Sequence, residues 1–368
     1  MPEIALQKKM RWFIIRKLFF GAYCKWKIVP ERKTSNMART KRRKSERRKN
    51  RTTAFLCITA VVLAVCAVRM QIIRHTPAAE AGKVNSLAAL EGAAEAATEA
   101  VTEPPAPVQD IPVHSKSALL LERKSGEEKY RKNAGERLAP ASLTKIMTAV
   151  VVLDNSPGLE EKVTLSEELF EPLYKQNAAL AGFEPGERVR VIDLLYGAML
   201  PSGAEAAEAL AAYISGSDRA FVEAMNQKAA ELGMENTHFS NVTGLPDDNH
   251  YSTAEDLAKL LRHALENQTF RKIFTSERYS TASTNRHPDG ITVRSSMFRS
   301  LPDASFSGVT ILGGKTGYTD EAGLCLASLA KSGGTEYILI TLGAEGDRST
   351  AQYNIEDAKA IYTAYTGA

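Results

Sequence analysis

Cysteine is scarce: the 368 residues hold four, at Cys24, Cys57, Cys66 and Cys325. Only Cys325 falls in the part that reads as folded domain, so no disulfide can staple that domain together. The spacing of the four matches no zinc site. No H-E-x-x-H occurs around His238, His250 or elsewhere, which removes a zinc peptidase from consideration, and no metal or cofactor is expected. Acidic residues are nearly missing from residues 1–50, which carry 3 Asp and Glu against 17 Lys and Arg, while the remainder carries 40 against 30. A basic head on an acidic body implies that the two parts meet different surroundings.

Long apolar runs are also few. Residues 54–68 form the clearest one, uncharged and 15 residues long, with a possible extension through Met70-Gln71-Ile72-Ile73 beyond Arg69. It is short for a membrane span and also resembles the apolar region of a signal peptide. Directly before it stand Lys41, Arg42, Arg43, Lys44, Arg47, Arg48 and Lys49. That charge predicts the N-terminal end inside and the remainder outside. It makes a topology signal a better reading than a nucleic-acid patch, so no nucleic-acid partner is expected. The favoured organisation is a basic cytoplasmic segment over 1–53, then a retained signal anchor over 54–73, because no small-residue cleavage site follows closely. Cleavage in the Ala-rich stretch after Thr76 and lipid modification of Cys66 are the alternatives, the latter weakened by bulky Val65. A complete signal begins at Met37, which makes that residue an alternative expected start of translation. Residues 74–112 shift to Ala, Glu, Thr and Pro and read as a tether.

A folded domain is expected over 113–368. Residues 117–123 and 127–131 predict a hairpin around Ser125-Gly126. Helices are expected over 144–155, 191–200, 205–214, 221–232, 253–266 and 355–365, and strands over 311–319, 323–330 and 336–342. Strands at both ends with helices between predict an α/β domain of the α+β kind. Its antiparallel sheet would be formed by both chain ends and covered by helices.

Three short segments carry chemistry. In Ser142-Leu143-Thr144-Lys145, at a helix start, Ser and Lys three apart share one face. The amine can then reach the hydroxyl, and a desolvated lysine gives up its proton readily enough to act as a base. The helix N-terminus adds backbone N–H groups suited to a developing oxyanion. One such pair is expected by chance about once in a chain this long, and Ser328-Leu329-Ala330-Lys331 repeats it in an expected strand, where positions three apart face opposite sides. In Gly314-Lys315-Thr316-Gly317-Tyr318, Lys315 offers charge to a carboxylate and Gly317 allows close approach to the backbone. A phosphate loop would need glycine at 309, where Val309 stands. In Pro201-Ser202-Gly203-Ala204, a serine in a tight interhelical turn can face a cleft; alone it reads better as a helix cap.

Together and in this order, the three segments resemble the S-x-x-K, S-x-N and K-T-G elements of penicillin-binding proteins and serine β-lactamases. Asn236-Thr237-His238-Phe239, Gly244-Leu245, the stretch from His250 through Ala258, and Lys315 through Gly323 narrow the resemblance to the low-molecular-mass D-alanyl-D-alanine carboxypeptidases, serine peptidase family S11. It covers about residues 115–366. It implies a β-lactamase/transpeptidase-like fold and a serine hydrolase that removes the terminal D-alanine from peptidoglycan stem peptides and binds β-lactams. By the same resemblance Ser142 is the acylated nucleophile, Lys145 its base and Ser202 a proton relay. The N–H groups of Ser142 and Tyr318 form the oxyanion hole, and Lys315 and Thr316 hold the substrate carboxylate. The family usually has Asn where Ala204 stands, and alanine can neither bond the substrate amide nor orient Lys145. Many relatives carry a further β-rich domain and a C-terminal anchor; here the plasma membrane is expected to be reached through the N-terminal segment, with the catalytic domain outside.

Two rivals share this fold. The commonest β-lactamases place a Glu four residues before an Asn between the second and third elements, and none of Asn226, Asn236, Asn241, Asn249, Asn267 or Asn285 is so preceded. A weakened wall-peptide binder would explain Ala204 but not the retention of nucleophile and base together.

Overall fold

The computed structural model describes residues 111–366. The expected basic segment, the anchor and all but the last two residues of the tether lie outside the described residues. Among the described residues no helix is long and apolar enough to cross a membrane.

Strand β1 (Ser117–Glu122) turns back into β2 (Glu128–Lys132), and a 3-10 turn over Ala141–Leu143 leads into helix α1 (Thr144–Asn155). Then follow β3 (Lys162–Thr164), α2 (Phe170–Lys175), β4 (Arg188–Arg190), α3 (Val191–Met199), α4 (Ala204–Ser215) and α5 (Asp218–Glu231). The chain continues through α6 (Ala254–Ala264), α7 (Gln268–Phe274), the short pair β5 (Arg278–Ser280) and β6 (Thr292–Arg294), and α8 (Ser296–Ser300). It closes with β7 (Ser305–Phe306), β8 (Val309–Thr319), β9 (Gly323–Ser332), β10 (Thr335–Ala344) and α9 (Tyr353–Tyr365).

The main sheet has the order β2-β1-β10-β9-β8-β7, all antiparallel. The first strand of the domain therefore pairs with the last, Ser117 opposite Leu342 and Glu122 opposite Tyr337. Side chains alternate between faces along a strand, and here both faces are covered. Leu119, Leu121, Cys325, Ala327, Leu329, Ile338 and Ile340 enter the large core under the helices. Ala118, Leu120, Leu326, Ala330 and Leu339 enter a second core with Ile355, Ile361 and Tyr362 of α9. This is why β1 and β9 read as continuous apolar runs rather than as alternating ones. The start of the domain is fastened to α9 by the backbone N–H groups of His114 and Ser115, which donate to the Asp357 carboxylate at 2.8 and 2.7 Å.

Helix α1 is buried along most of its length, from Thr144 to Val152, so it has no solvent face on which polar residues could be spent. Helix α5 begins three residues earlier than its apolar periodicity predicts, because Ser217 caps it by accepting from the Ala220 N–H. Only Ser305 and Phe306 pair with the outer edge of β8, opposite Thr310 and Val309. Further along that edge the Ile311 N–H donates to the Ala304 carbonyl at 2.8 Å, and the stretch from Thr316 to Thr319 lines the cleft described below.

Candidate active site

The 3-10 turn that carries Ser142 is held in a conformation it would not adopt unaided. Ala141 has φ of +46°, a left-handed backbone that costs a non-glycine residue of order 1–3 kcal/mol. Three contacts impose it. The Thr144 hydroxyl donates to the Ala141 carbonyl at 2.8 Å, and His250 Nε2 lies 2.7 Å from the same hydroxyl oxygen. The one hydroxyl proton is used on Ala141, so His250 must donate from Nε2. Its Nδ1 then accepts from the Ser240 N–H at 3.1 Å. Burial agrees with this neutral form, pushing the imidazole down to about 4. The third contact is Gly244, at φ +81°, where a Cβ would fall 1.8 Å from the Ala141 carbonyl oxygen.

Lys145, the second residue of α1 and one turn beyond Ser142, is buried. Its Nζ lies 3.1 Å from Ser142 Oγ and donates to the Thr243 carbonyl at 2.8 Å. Burial draws its pKa down to about 7; Glu208 and Glu205 on α4 oppose this and Arg348 assists it. Near pH 7 a substantial fraction of the amine is then neutral, within reach of the serine proton.

Ser202 occupies the turn between α3 and α4 at φ +70°. It is not the helix cap that its position suggests: Gly203 stands there, and Ser202 Oγ instead accepts from Lys315 Nζ at 2.8 Å. Lys315 is fully buried and also donates to the Thr316 carbonyl at 2.7 Å. Burial first, and the charge of Lys145 second, hold its amine well below the usual lysine range. Lys315 thus faces Ser202 rather than open solvent. Thr316 Oγ1 meets Ser296 Oγ at 2.5 Å. The space that Gly317 leaves is taken by the serine's own turn, since a Cβ there would lie 3.1 Å from both Ala141 Cβ and Ser142 N. The glycine therefore brings the edge of β8 against Ser142, rather than making room for a ligand.

Two lobes of a cleft meet at this point, sharing Ser142, Ala179, Tyr318 and Arg348. The first is lined by Ser202, Thr316, Gly317, Ser296 and Arg299. The second is lined by Lys145, Asn177, Ala204, Thr243 and Leu245. The structure thus brings Ser142, Lys145, Ser202, Thr316, Gly317 and Tyr318 to one cleft, with Lys315 directly behind Ser202. The Arg348 guanidinium lies over the Tyr318 ring at 5.8 Å, and the Tyr318 hydroxyl donates to Asp320 at 2.7 Å. Arg299 and Arg348, the exposed cations of the cleft, were not anticipated from sequence. They fall in polar stretches with no periodicity or motif to mark them. Among the described residues no group of three or more His, Cys, Asp or Glu side chains converges to hold a metal.

A serine with a buried lysine beside it, a second serine–lysine pair behind it and an open strand edge alongside define a serine acyl-transfer site. The helix-covered antiparallel sheet is the fold shared by DD-peptidases and β-lactamases. Comparison with known proteins narrows this further. Residues 100–346 match the D-alanyl-D-alanine carboxypeptidase family, Peptidase_S11, and the chain belongs to that family. It is 37% identical over 231 residues to D-alanyl-D-alanine carboxypeptidase DacF of Bacillus subtilis, a match spanning 62% of this chain and 57% of that protein. It is also 37% identical over 221 residues to the D-alanyl-D-alanine carboxypeptidase of Streptomyces sp. strain K15, covering 58% of this chain and 75% of the relative. Among solved structures, the Streptomyces K15 DD-transpeptidase superposes with a TM-score of 0.63 at 32% identity, over 70% of this chain and 99% of that one. Penicillin-binding protein 6B from Escherichia coli does so with a TM-score of 0.60 at 30% identity, over 70% and 78%.

Proposed function

We propose that this protein is a serine-type D-Ala-D-Ala carboxypeptidase that removes the terminal D-alanine from peptidoglycan stem peptides and is acylated by β-lactams. The observation that carries the reading is the 3.1 Å approach of the buried Lys145 amine to Ser142 Oγ. Lys145 takes the hydroxyl proton as Oγ attacks the carbonyl of the penultimate D-alanine. The N–H groups of Ser142 and Tyr318, where the serine turn meets the β8 edge, receive the developing oxyanion. Ser202 passes a proton to the departing D-alanine nitrogen, and Lys315 behind it orients the hydroxyl. The lobe containing Thr316, Arg299 and Arg348 takes the D-alanine carboxylate. Water then attacks the ester on Ser142, with Lys145 again as base, and frees the shortened peptide.

The N-terminal basic and apolar segments support a further part of the proposal. The chain would sit in the plasma membrane as a single pass, with a tether over 74–112 and the catalytic domain over 113–368 outside. The test is D-alanine release from a D-Ala-D-Ala peptide by the purified chain, run beside penicillin hydrolysis. Steady D-alanine release with slow penicillin turnover supports the carboxypeptidase. Rapid penicillin turnover without D-alanine release would make it a β-lactamase, and neither activity would leave a binder.

A further inference from the structure

We propose that the side-chain amide of Asn177 contacts the substrate's backbone amide on the acyl side of the scissile bond, supplying the contact that Ala204 is too short to make. This rests on the carboxypeptidase reading. If the lobe with Arg299 and Thr316 takes the leaving carboxylate, the acyl part of the peptide must lie in the lobe lined by Asn177, Ala204 and Leu245. There Ala204 offers a methyl group only. The other neutral polar side chains of that lobe are engaged: Gln176 Nε2 donates to the Pro172 carbonyl at 3.3 Å, Thr243 Oγ1 donates to Asn241 at 3.2 Å, and Thr319 Oγ1 accepts from the Ala322 N–H at 3.1 Å. Ser349 Oγ donates to Asp347 at 2.7 Å. Asn177 is exposed, and its amide has no partner among the described residues.

Asn177 is also held in place. Its φ of +48° is a left-handed conformation that asparagine tolerates better than most residues. The loop that follows is fixed against position 204 itself, because the Ala204 N–H donates to the Ala179 carbonyl at 2.8 Å. The buried Glu205 carboxylate continues the clamp: its Oε1 accepts from the N–H groups of Ala181, Gly182 and Phe183 at 2.6, 3.0 and 3.3 Å. An amide presented from a fixed loop spends little ordering entropy on contact with a ligand.

The test is the acylation rate of the full chain by two D-Ala-D-Ala peptides, one N-acylated on the acyl side and one lacking that amide, for wild type and Asn177→Gly. Glycine keeps the left-handed turn and deletes only the amide. The expected result is a drop of about tenfold or more with the N-acylated peptide, a much smaller drop with the other, and recovery when Ala204→Asn is added to Asn177→Gly. Wild-type rates for Asn177→Gly, or an equal loss with both peptides, would overturn the inference. Failure of the wild type to acylate with either peptide would instead sink the carboxypeptidase reading beneath it.

Discussion

The two lobes that meet at Ser142 are built on opposite principles. The lobe proposed for the leaving group holds Arg299 and, on the border it shares with the other lobe, Arg348, both open to solvent, while Lys315 lies buried behind Ser202. The lobe proposed for the acyl group presents Asn177, Ala204 and Leu245 beside the neutral form of Lys145. The contrast separates two uses of charge. A substrate carboxylate needs cations that can reach it, so those remain exposed. A lysine proposed as a base must shed its proton near neutral pH, and burial is the means: it draws Lys145 down to about 7, and it also holds Lys315 well below the usual lysine range.

This contrast can be broken most sharply at Lys145, which lines the acyl-side lobe beside Ser142. Lys145→Ala is expected to slow acylation about 10²- to 10⁴-fold for peptide and β-lactam alike, as followed by stopped-flow or mass spectrometry. In the wild type, acylation should fall about tenfold per pH unit below about 7 and level off above it, because only the unprotonated amine serves as base. His250, already neutral down to about 4, contributes nothing in that window. Arg348→Ala is expected to cost roughly tenfold in kcat/KM for a peptide with a free terminal carboxylate. The same variant should lose much less with the C-terminally amidated analogue, and an equal loss would erase the distinction between the lobes. The smallest effect sharpens the picture of the acyl-side wall. Glu205→Ala should lower stability by about 1–3 kcal/mol, because three N–H groups, that of Phe183 buried, lose their acceptor, and chemical denaturation would measure it.

How much of this was legible in the sequence depended on how local each cause is. Helix α1 and the pair α3 and α4 were readable because their apolar residues recur over several turns. The pairing of β1 with β10 followed from strands at both chain ends. Ser142, Lys145 and Lys315 were marked by short motifs, each with its chemistry inside three or four residues. Strands β3 to β6 and helices α2, α7 and α8 span two turns or fewer, too short to display a period. Nor could any local signal show that Gly317 serves the serine turn, that His250 reaches Thr144, or that Glu205 anchors a loop more than twenty residues away. Arg299, Arg348 and Asn177 belong to the cleft only because the fold brings distant polar segments together.

The most direct test of the central claim is the intact mass of the purified chain after incubation with penicillin, beside Ser142→Ala. The geometry around Lys145 predicts one stable penicilloyl adduct on the wild type and none on the variant. An unmodified wild type, or an adduct that survives Ser142→Ala, would contradict it.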